Sequence, residues 1–146
     1  MVFEKIINKF GKPDVLVNNA DVLFAKEFED VALEGCNYMV LVNTKSVFLE
    51  TNVCVPFLKI ARAQSKAGSA IVNISSVSGP FGAALDPLYS MTKGGVTLFT
   101  KSRAITFANK GDRIRVNAVH PGLLDTQMGQ KEMYVSADKS GMKGDD

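Results

Sequence analysis

The sequence of 146 residues has little excess charge and no long hydrophobic run. It contains 17 lysine and arginine residues against 15 aspartate and glutamate residues, which gives a formal net charge of +2. Such a small excess argues against binding to nucleic acid or to an anionic membrane surface. No apolar stretch reaches the roughly 18 residues that a membrane-spanning helix requires. We therefore expect neither a nucleic-acid partner nor a membrane association.

Side chains that bind metal ions are also scarce. The sequence has a single histidine, His120, and two cysteines, Cys36 and Cys54, that are not in a Cys-x-x-Cys arrangement. Carboxylates do not cluster at ligand spacing, so no metal site is predicted. Both cysteines lie in apolar-periodic sequence and are predicted to be buried free thiols, which suits a reducing compartment. The amphipathic N-terminus carries Glu4 and does not resemble a secretory signal, so we expect a cytoplasmic protein.

The remaining composition is that of an ordinary globular protein, and its length fits one domain. Helical and strand-like apolar patterns alternate along the chain. Helices are predicted at residues 2–10, 36–65 and 87–109, and strands at residues 14–18, 70–75 and 114–119. This alternation predicts an α/β fold with a parallel sheet and right-handed crossovers. Residues 77–86 are predicted as a loop, and residues 129–146 as a loosely held tail that follows a domain of residues 1–128.

The predictions for residues 14–18 and 36–65 rest on different patterns. Residues 14–18 form a short apolar run, as expected for a strand that is buried on both faces. Residues 36–65 are rich in β-branched side chains, which favours strands by propensity alone. The same segment is long and lacks glycine and turn clusters, which favours a single buried helix. Pro56 would kink that helix or mark its last third.

Polar residues follow all three predicted strands. Asn18 and Asn19 follow the first strand, Ser75 and Ser76 the second, and His120-Pro-Gly122 the third. Ligands of parallel α/β sheets bind at the carboxyl ends of the strands. The sequence therefore predicts one site that is shared by the three segments that follow these strands.

Tyr89 and Lys93 stand four residues apart in a predicted helix, which places both side chains on one face. A phenol titrates near pH ~10 in water, and a close positive charge favours its ionised form. A hydroxyl from Ser76 could then share a substrate oxygen with the phenol. This equipment suits proton transfer to or from a secondary alcohol or ketone, although an isolated pair of this kind is more often a surface helix pair.

Five segments, in this order, resemble the short-chain dehydrogenase/reductase family, and the resemblance covers residues 2–128. The matching segments are Asp14-Val-Leu-Val-Asn-Asn-Ala20, Asn43 within residues 42–48, Gly68-Ser-Ala-Ile-Val-Asn-Ile-Ser-Ser76, Tyr89-Ser-Met-Thr-Lys93 and Ile114-Arg-Val-Asn-Ala-Val-His-Pro-Gly122. Thr126 follows at the family's spacing. The resemblance implies a partial Rossmann-like, doubly wound parallel sheet of about three strands, with the N-terminal dinucleotide-binding half missing.

The resemblance implies a catalytic role for four residues. Tyr89 resembles the general acid/base, and Ser76 the hydroxyl that polarises the substrate oxygen. Lys93 resembles the residue that lowers the phenol pKa and hydrogen-bonds the nicotinamide ribose. Asn43 resembles the helix residue that fixes a water behind the lysine. On residue type alone, Ser76 could instead cap a helix or a turn, and Asn43 could satisfy a gap in the backbone hydrogen bonds.

The resemblance also implies NAD or NADP as cofactor and a small alcohol or ketone as substrate. The cofactor-binding residues that it implies are Asn18, Asn19, Ala20, Tyr89, Lys93, Pro121, Gly122 and Thr126. The alternative for Asn18 is a structural role between strands, and for Thr126 that of an ordinary polar loop residue.

The sequence departs from the family in two places. It contains no Thr-Gly-x-x-x-Gly-x-Gly turn, which would hold the cofactor pyrophosphate on a helix N-terminus. Asp21 also stands where the family's Asn-Asn-Ala-Gly has glycine, and its carboxylate is expected to disturb the approach to the cofactor. One face of the sheet is expected to be bare, which predicts aggregation, pairing or poor folding.

Three hypotheses of function follow. The first is an NAD(P)-dependent oxidoreductase that interconverts a secondary alcohol and a ketone. The second is a catalytically inactive truncated fragment. The third is an interaction module that forms a homo-oligomer through the helices near residues 36–65 and 87–109.

Overall fold

The computed structural model describes residues 2–24, 26, 28–64 and 66–130. Within these ranges helices and parallel strands alternate, as the sequence predicts. The elements are α1 (Val2–Phe10), β1 (Val15–Asn18), α2 (Leu33–Val40), α3 (Ser46–Gln64), β2 (Ser69–Ile74), α4 (Ser78–Phe81), α5 (Pro87–Asn109) and β3 (Ile114–Val119). A 3-10 turn at Phe28–Asp30 precedes α2. The predicted α/β class is confirmed.

The three strands form one sheet in the order β1-β2-β3, and both strand pairs are parallel. Val17 pairs with Val72, which in turn pairs with Asn117 of β3. The carboxyl ends of all three strands therefore meet at the same edge of the sheet. The loops that follow Asn18, Ile74 and Val119 leave the sheet there.

The segment that propensity left ambiguous is helical. α2 continues through a five-residue π-helical segment, Leu41–Lys45, directly into α3. Pro56 lies inside α3. The β-branched residues of this segment are accommodated because one side of the helix packs on the sheet, where Cys54 and Leu58 are buried. Tertiary packing outweighs β propensity here.

One hydrophobic core lies between the sheet and the helices α3 and α5. Its buried members are Cys54 and Leu58 of α3, Ile71 of β2, Phe107 of α5, and Ile114 and Val116 of β3. Burial raises the pKa of the Cys54 thiol to about 11, and the nearby Glu50 carboxylate acts in the same direction. Cys54 is thus a buried free thiol as predicted, whereas Cys36 is only partly buried.

The prediction that β1 is buried on both faces is wrong for the described residues. Val15 and Val17 are each 54 % exposed, while Leu16 between them packs against the core. Successive strand residues point to opposite faces, so the faces differ in cover. The core helices cover the Leu16 face. On the Val15 and Val17 face, the expected bare surface is present.

Two further differences from the sequence prediction concern local structure. The predicted loop at residues 77–86 contains the short helix α4. Residues 127–130 form a helical turn, whose start is fixed by a hydrogen bond from the Gly129 amide to the Thr126 hydroxyl. The remainder of the predicted tail, residues 131–146, lies outside the described residues.

A charged cluster joins α3 to the chain just before β3. The Lys59 Nζ lies 3.0 Å from Asp112 Oδ2, and a nitrogen of the Arg62 guanidinium lies 2.8 Å from Asp112 Oδ1. The pKa of Asp112 is lowered, chiefly by the Lys59 ammonium and further by the charge of Arg62, although burial acts in the opposite direction. This cluster lies at the amino end of the sheet.

Candidate active site

A cleft of about 140 Å³ opens at the carboxyl ends of β2 and β3. The backbone amide of Val77 donates to the Pro121 carbonyl at 3.0 Å, which joins the two loops that form its floor. The residues that line it come from the loops after the three strands, from the end of β2, from α5 and from the helical turn at residues 127–130. The lining includes Asp21, Ser76, Tyr89, Pro121, Gly122 and Thr126.

Tyr89 and Lys93 lie on one face of α5, as their spacing predicts. The helix begins with Pro87, and the Asp86 side chain caps it by accepting a 2.8 Å hydrogen bond from the Tyr89 amide. Proline is favoured at the first helical position and aspartate at the cap. Tyr89 is 7 % exposed and Lys93 only 1 % exposed. The two side chains are therefore buried groups of the cleft and not a surface pair.

A single carboxylate oxygen joins these two side chains. The Tyr89 hydroxyl donates to Asp21 Oδ2 at 2.8 Å, and Lys93 Nζ lies 3.0 Å from the same oxygen. Lys93 also donates to the Ile74 carbonyl at 3.0 Å. Burial lowers the pKa of Lys93 below its ordinary value, while the charge and hydrogen bond of Asp21 act in the opposite direction.

Asn43 holds the loop that carries Asp21. Its Oδ1 accepts from the Val22 amide and its Nδ2 donates to the Val22 carbonyl, both at 2.9 Å. The Nδ2 also lies 3.3 Å from the hydroxyl of Thr92 on α5. Asn43 is almost fully buried and belongs to the π-helical segment. In this structure it thus fixes the backbone next to Asp21.

Ser76 is buried at the cleft and makes the contact of a turn residue. Its Oγ accepts a 3.1 Å hydrogen bond from the amide of Ser78, where α4 begins. A hydroxyl that accepts from a backbone amide can still donate to a ligand oxygen. The turn role that residue type suggested is thus present, and Ser76 also lines the cleft.

The structure divides the residues implied for cofactor binding into two groups. Pro121, Gly122 and Thr126 line the cleft with Tyr89. The Asn18 side chain is instead buried between the sheet and α3, where its Nδ2 donates to Asn73 Oδ1 at 2.7 Å and to Thr51 Oγ1 at 3.3 Å. Asn19 and Ala20 are exposed and are not part of the cleft lining, and Lys93 is buried beside the cleft without lining it.

Three further side chains contribute to the site: Asp21, Ser75, which the sequence places at the end of the second strand, and Thr97, which it does not point to. Ser75 Oγ donates to the Lys93 carbonyl at 3.0 Å and lies 2.9 Å from Thr97 Oγ1. Thr97 Oγ1 in turn lies 3.2 Å from His120 Nε2. For Asp21 a signal existed, because it is a charged residue at a strand exit beside the predicted site. Ser75 has the same signal, as a polar residue that follows β2, whereas no local pattern distinguishes Thr97.

The described residues fit one end of a nicotinamide cofactor. The cleft is small, and the buried Asp21 Oδ1 has no hydrogen-bond partner among the described residues. A ribose hydroxyl is a group that can donate a hydrogen bond to this oxygen. The sequence contains no Gly-rich turn for the pyrophosphate. Groups of three or more His, Cys, Asp or Glu side chains that could hold a metal ion are not found within the described ranges.

The sequence model of the short chain dehydrogenase family matches residues 1–134. The chain is 39 % identical over 130 residues to a 3-oxoacyl-[acyl-carrier-protein] reductase of Thermotoga maritima, covering 89 % of this chain and 50 % of the relative. It is 33 % identical over 147 residues to an NADP-dependent (R)-specific alcohol dehydrogenase of Lentilactobacillus kefiri, covering 97 % and 56 %. The chain thus spans about half the length of the curated relatives that it matches.

Solved structures agree with this match. A 3-ketoacyl-(acyl-carrier-protein) reductase from Brucella melitensis, complexed with NADH, superposes with a TM-score of 0.81 at 30 % identity, over 91 % of this chain and 54 % of that one. ElxO with NADP bound superposes with a TM-score of 0.78 at 34 % identity, over 99 % and 54 %. The order of motifs, the parallel sheet and these matches lead to one conclusion: the chain belongs to the short-chain dehydrogenase/reductase family.

Proposed function

We propose that this chain carries the acid/base half of an NAD(P)-dependent oxidoreductase that interconverts a secondary alcohol and a ketone. The observation that carries the proposal is a cleft on the carboxyl edge of a parallel sheet that Tyr89 and Ser76 both line, with the buried Lys93 beside it sharing Asp21 Oδ2 with the phenol. The chain's relatives include alcohol dehydrogenases and reductases, which supports the same reaction class.

In this mechanism Tyr89 exchanges a proton with the substrate oxygen. Ser76 shares that oxygen and orients it, because its hydroxyl retains a donor after accepting from the Ser78 amide. Lys93 supplies positive charge where negative charge develops on the phenol oxygen. A positioned acid or base of this kind contributes roughly 10²–10⁴-fold to the rate.

NAD or NADP, when bound, supplies or accepts the hydride. Pro121, Gly122 and Thr126 would border its nicotinamide, and Lys93 with Asp21 would meet the adjoining ribose. Neither nucleotide is favoured by the described residues. The family's pyrophosphate turn is not in the sequence, so we expect weak binding by this chain.

The substrate is proposed to be a small hydrophobic or cyclic alcohol or ketone. Leu123 and Leu124 expose apolar side chains on the loop that lines the cleft, and Phe81 exposes its ring at the end of α4. No helix within the described residues combines the length and apolarity needed to cross a bilayer. We also propose a cytoplasmic location and no nucleic-acid partner, in keeping with the small net charge.

Two measurements test the proposal. Nucleotide fluorescence during titration with NADH and NADPH measures binding, and the absence of binding at millimolar nucleotide would leave the inactive fragment as the description of this chain. Where turnover is detected, Tyr89→Phe is expected to reduce kcat by roughly 10²-fold or more. Tyr38→Phe is the matched control because Tyr38 is exposed and stacks on Phe24. Equal activity of the two variants would contradict the mechanism.

An exposed apolar surface on α3 and α5 supports a second candidate, a homo-oligomer formed through the helices near residues 36–65 and 87–109. Large patches of this kind mark interaction surfaces. The exposed side chains are Phe48, Leu49, Val53, Ile60, Leu98 and Ile105. Leu98→Lys is expected to shift sedimentation toward the monomer, and Leu123→Lys, equally exposed beside the cleft, is expected to leave it unchanged. A wild-type chain that sediments as a monomer contradicts this candidate.

A further inference from the structure

We propose that Asp21 holds Tyr89 in its protonated form near neutral pH, so that the acid form that reduction uses is present and the phenolate that oxidation needs forms only at alkaline pH. This inference rests on the proposed function, in which Tyr89 is the acid/base. Asp21 stands where the family resemblance places a glycine, so the side chain is a property of this chain. The chemistry follows from three observations around the phenol.

The first observation is the hydrogen bond between Tyr89 and Asp21. The phenol hydroxyl donates to Asp21 Oδ2 at 2.8 Å, and only the protonated phenol can make that bond. A hydrogen bond made by the neutral form disfavours ionisation. Removing the proton would also place a phenolate next to a carboxylate, and such like charges repel.

The second observation concerns the opposing cation. Lys93 Nζ lies 3.0 Å from the same Oδ2 that accepts the phenol proton, and it also donates to the Ile74 carbonyl. The Asp21 carboxylate therefore offsets part of the ammonium charge that acts on the phenol. The carboxylate is the charge in direct hydrogen-bond contact with Tyr89, so its effect outweighs that of Lys93.

The third observation is the burial of Tyr89. The ring packs against Met39 and Leu88 in an apolar cluster, which disfavours the charged phenolate. Two other titratable side chains lie near it among the described residues. Asp86 caps α5 at the Tyr89 amide, and Cys36 packs on the same cluster. Lys93 is the cation that faces the phenol from its own helix.

The loop geometry keeps Asp21 in this position. Asn43 holds both backbone groups of the next residue, Val22, through two 2.9 Å hydrogen bonds. The carboxylate is thus a fixed part of the cleft. In reduction the Tyr89 proton would pass to the carbonyl oxygen of the substrate and solvent water would reprotonate the phenol, while a bound nicotinamide would supply the hydride to the carbonyl carbon. Oxidation needs the ionised phenol as base and is displaced to alkaline pH.

Ultraviolet difference titration tests the inference without nucleotide or turnover. The absorbance of tyrosinate is followed against pH, and subtracting the Tyr89→Phe curve from the wild-type curve isolates Tyr89. Asp21→Asn is expected to move ionisation of Tyr89 to lower pH by roughly one to three units, the range for a close charge. Asp14→Asn, the same change at the opposite end of β1, is expected to leave it unmoved.

The wild-type chain provides a second arm in case Asp21→Asn loses its circular dichroism spectrum. Tyr38 is an exposed reference phenol, isolated by subtracting the Tyr38→Phe curve. Tyr89 is expected to ionise at a higher pH than Tyr38. Ionisation of Tyr89 below Tyr38, or an unmoved Tyr89 in folded Asp21→Asn, overturns the inference. Failure to bind nucleotide overturns the proposed function alone, because this titration contains none.

Discussion

Asp21 and Asp112 lie at opposite ends of the parallel sheet, and each brings a carboxylate to nearby cations. The Asp112 side chain is 4 % exposed and the Asp21 side chain 17 % exposed. At Asp112 each oxygen has its own cation, Lys59 on Oδ2 and Arg62 on Oδ1. The two cations are partly exposed, and the cluster ties α3 to the start of β3.

The Asp21 cluster has a different distribution of partners. Tyr89 and Lys93 both meet Oδ2, whereas the buried Oδ1 has no hydrogen-bond partner among the described residues. One of the two partners is a neutral phenol that can exchange its proton. A carboxylate with an ion-pair partner at each oxygen acts as a clamp, whereas Asp21 has both of its partners at one oxygen and lines the cleft at a strand end.

The largest effect is expected where the cation is buried. Lys93→Met keeps the side-chain length but leaves Asp21 without its cation, so the free energy of unfolding is expected to fall by about 3 kcal/mol. Urea denaturation followed by circular dichroism measures this change. The double variant Asp21→Asn, Lys93→Met removes both charges and is expected to recover part of the loss. A double variant that is less stable than Lys93→Met would contradict the explanation that the loss comes from leaving the Asp21 carboxylate without its cation.

A smaller effect is expected at the clamp. Asp112→Asn removes the charge that Lys59 and Arg62 share, and those cations regain water because they are partly exposed. The free energy of unfolding is expected to fall by about 1–2 kcal/mol, as for a hydrogen bond to a charged group. Asp125→Asn, which alters an exposed aspartate bonded to Gln130, is the control. Equal losses in the two variants would contradict a clamp at Asp112.

The clamp also gives stability a dependence on acid pH. The pKa of Asp112 is lowered from its ordinary value of 3.8, so the unfolded chain binds a proton more readily than the folded chain. The contribution of this carboxylate is therefore complete above about pH 4 and is lost as pH falls through the lowered folded pKa. Acid unfolding of wild type and Asp112→Asn is expected to converge below that range. A stability difference that persists unchanged into strong acid would assign the effect to packing.

The smallest effect is expected at a third carboxylate. Asp14 pairs with Lys12 at 2.9 Å on the surface before β1, and the Asp14 side chain is largely exposed. Lys12→Ala is expected to change the free energy of unfolding by less than about 0.5 kcal/mol, and this difference should vanish in molar salt. A loss comparable with that of Asp112→Asn would show that burial does not determine how much each of the three ion pairs contributes to the free energy of unfolding.

Elements whose ends are marked by proline or glycine could be predicted from the sequence. The helix Pro87–Asn109 and the strand Ile114–Val119 have the predicted bounds because Pro87 and Gly111 mark their ends. The helical run around Pro56 was ambiguous by propensity and was decided by packing on the sheet. The π-helical segment at Asn43 and the short helix α4 have no distinguishing pattern. The exposure of Val15 and Val17 depends on which elements cover that face of the sheet, and the sequence of one strand does not determine this.

The candidate site was predictable where it rests on spacing within one helix. Tyr89 and Lys93 share a face because four residues separate them. The link through Asp21 was not predictable, because it joins residues 68 positions apart and depends on how Asn43 fixes a loop. Asn18 was assigned to the cofactor loop, yet its side chain bonds Asn73 beneath the sheet. Adjacency in sequence to a site residue does not settle which way a side chain points.

The strand order has a consequence for hydrogen exchange. β2 pairs on both sides, with β1 and with β3, whereas each of these neighbours pairs with one strand among the described residues. Amide deuteration of residues 69–74 therefore requires opening of the whole sheet, and β1 can release its protons by local fraying. The slowest-exchanging amides of this chain would then report its global unfolding, and they lie in the strand that leads directly into Ser75 and Ser76.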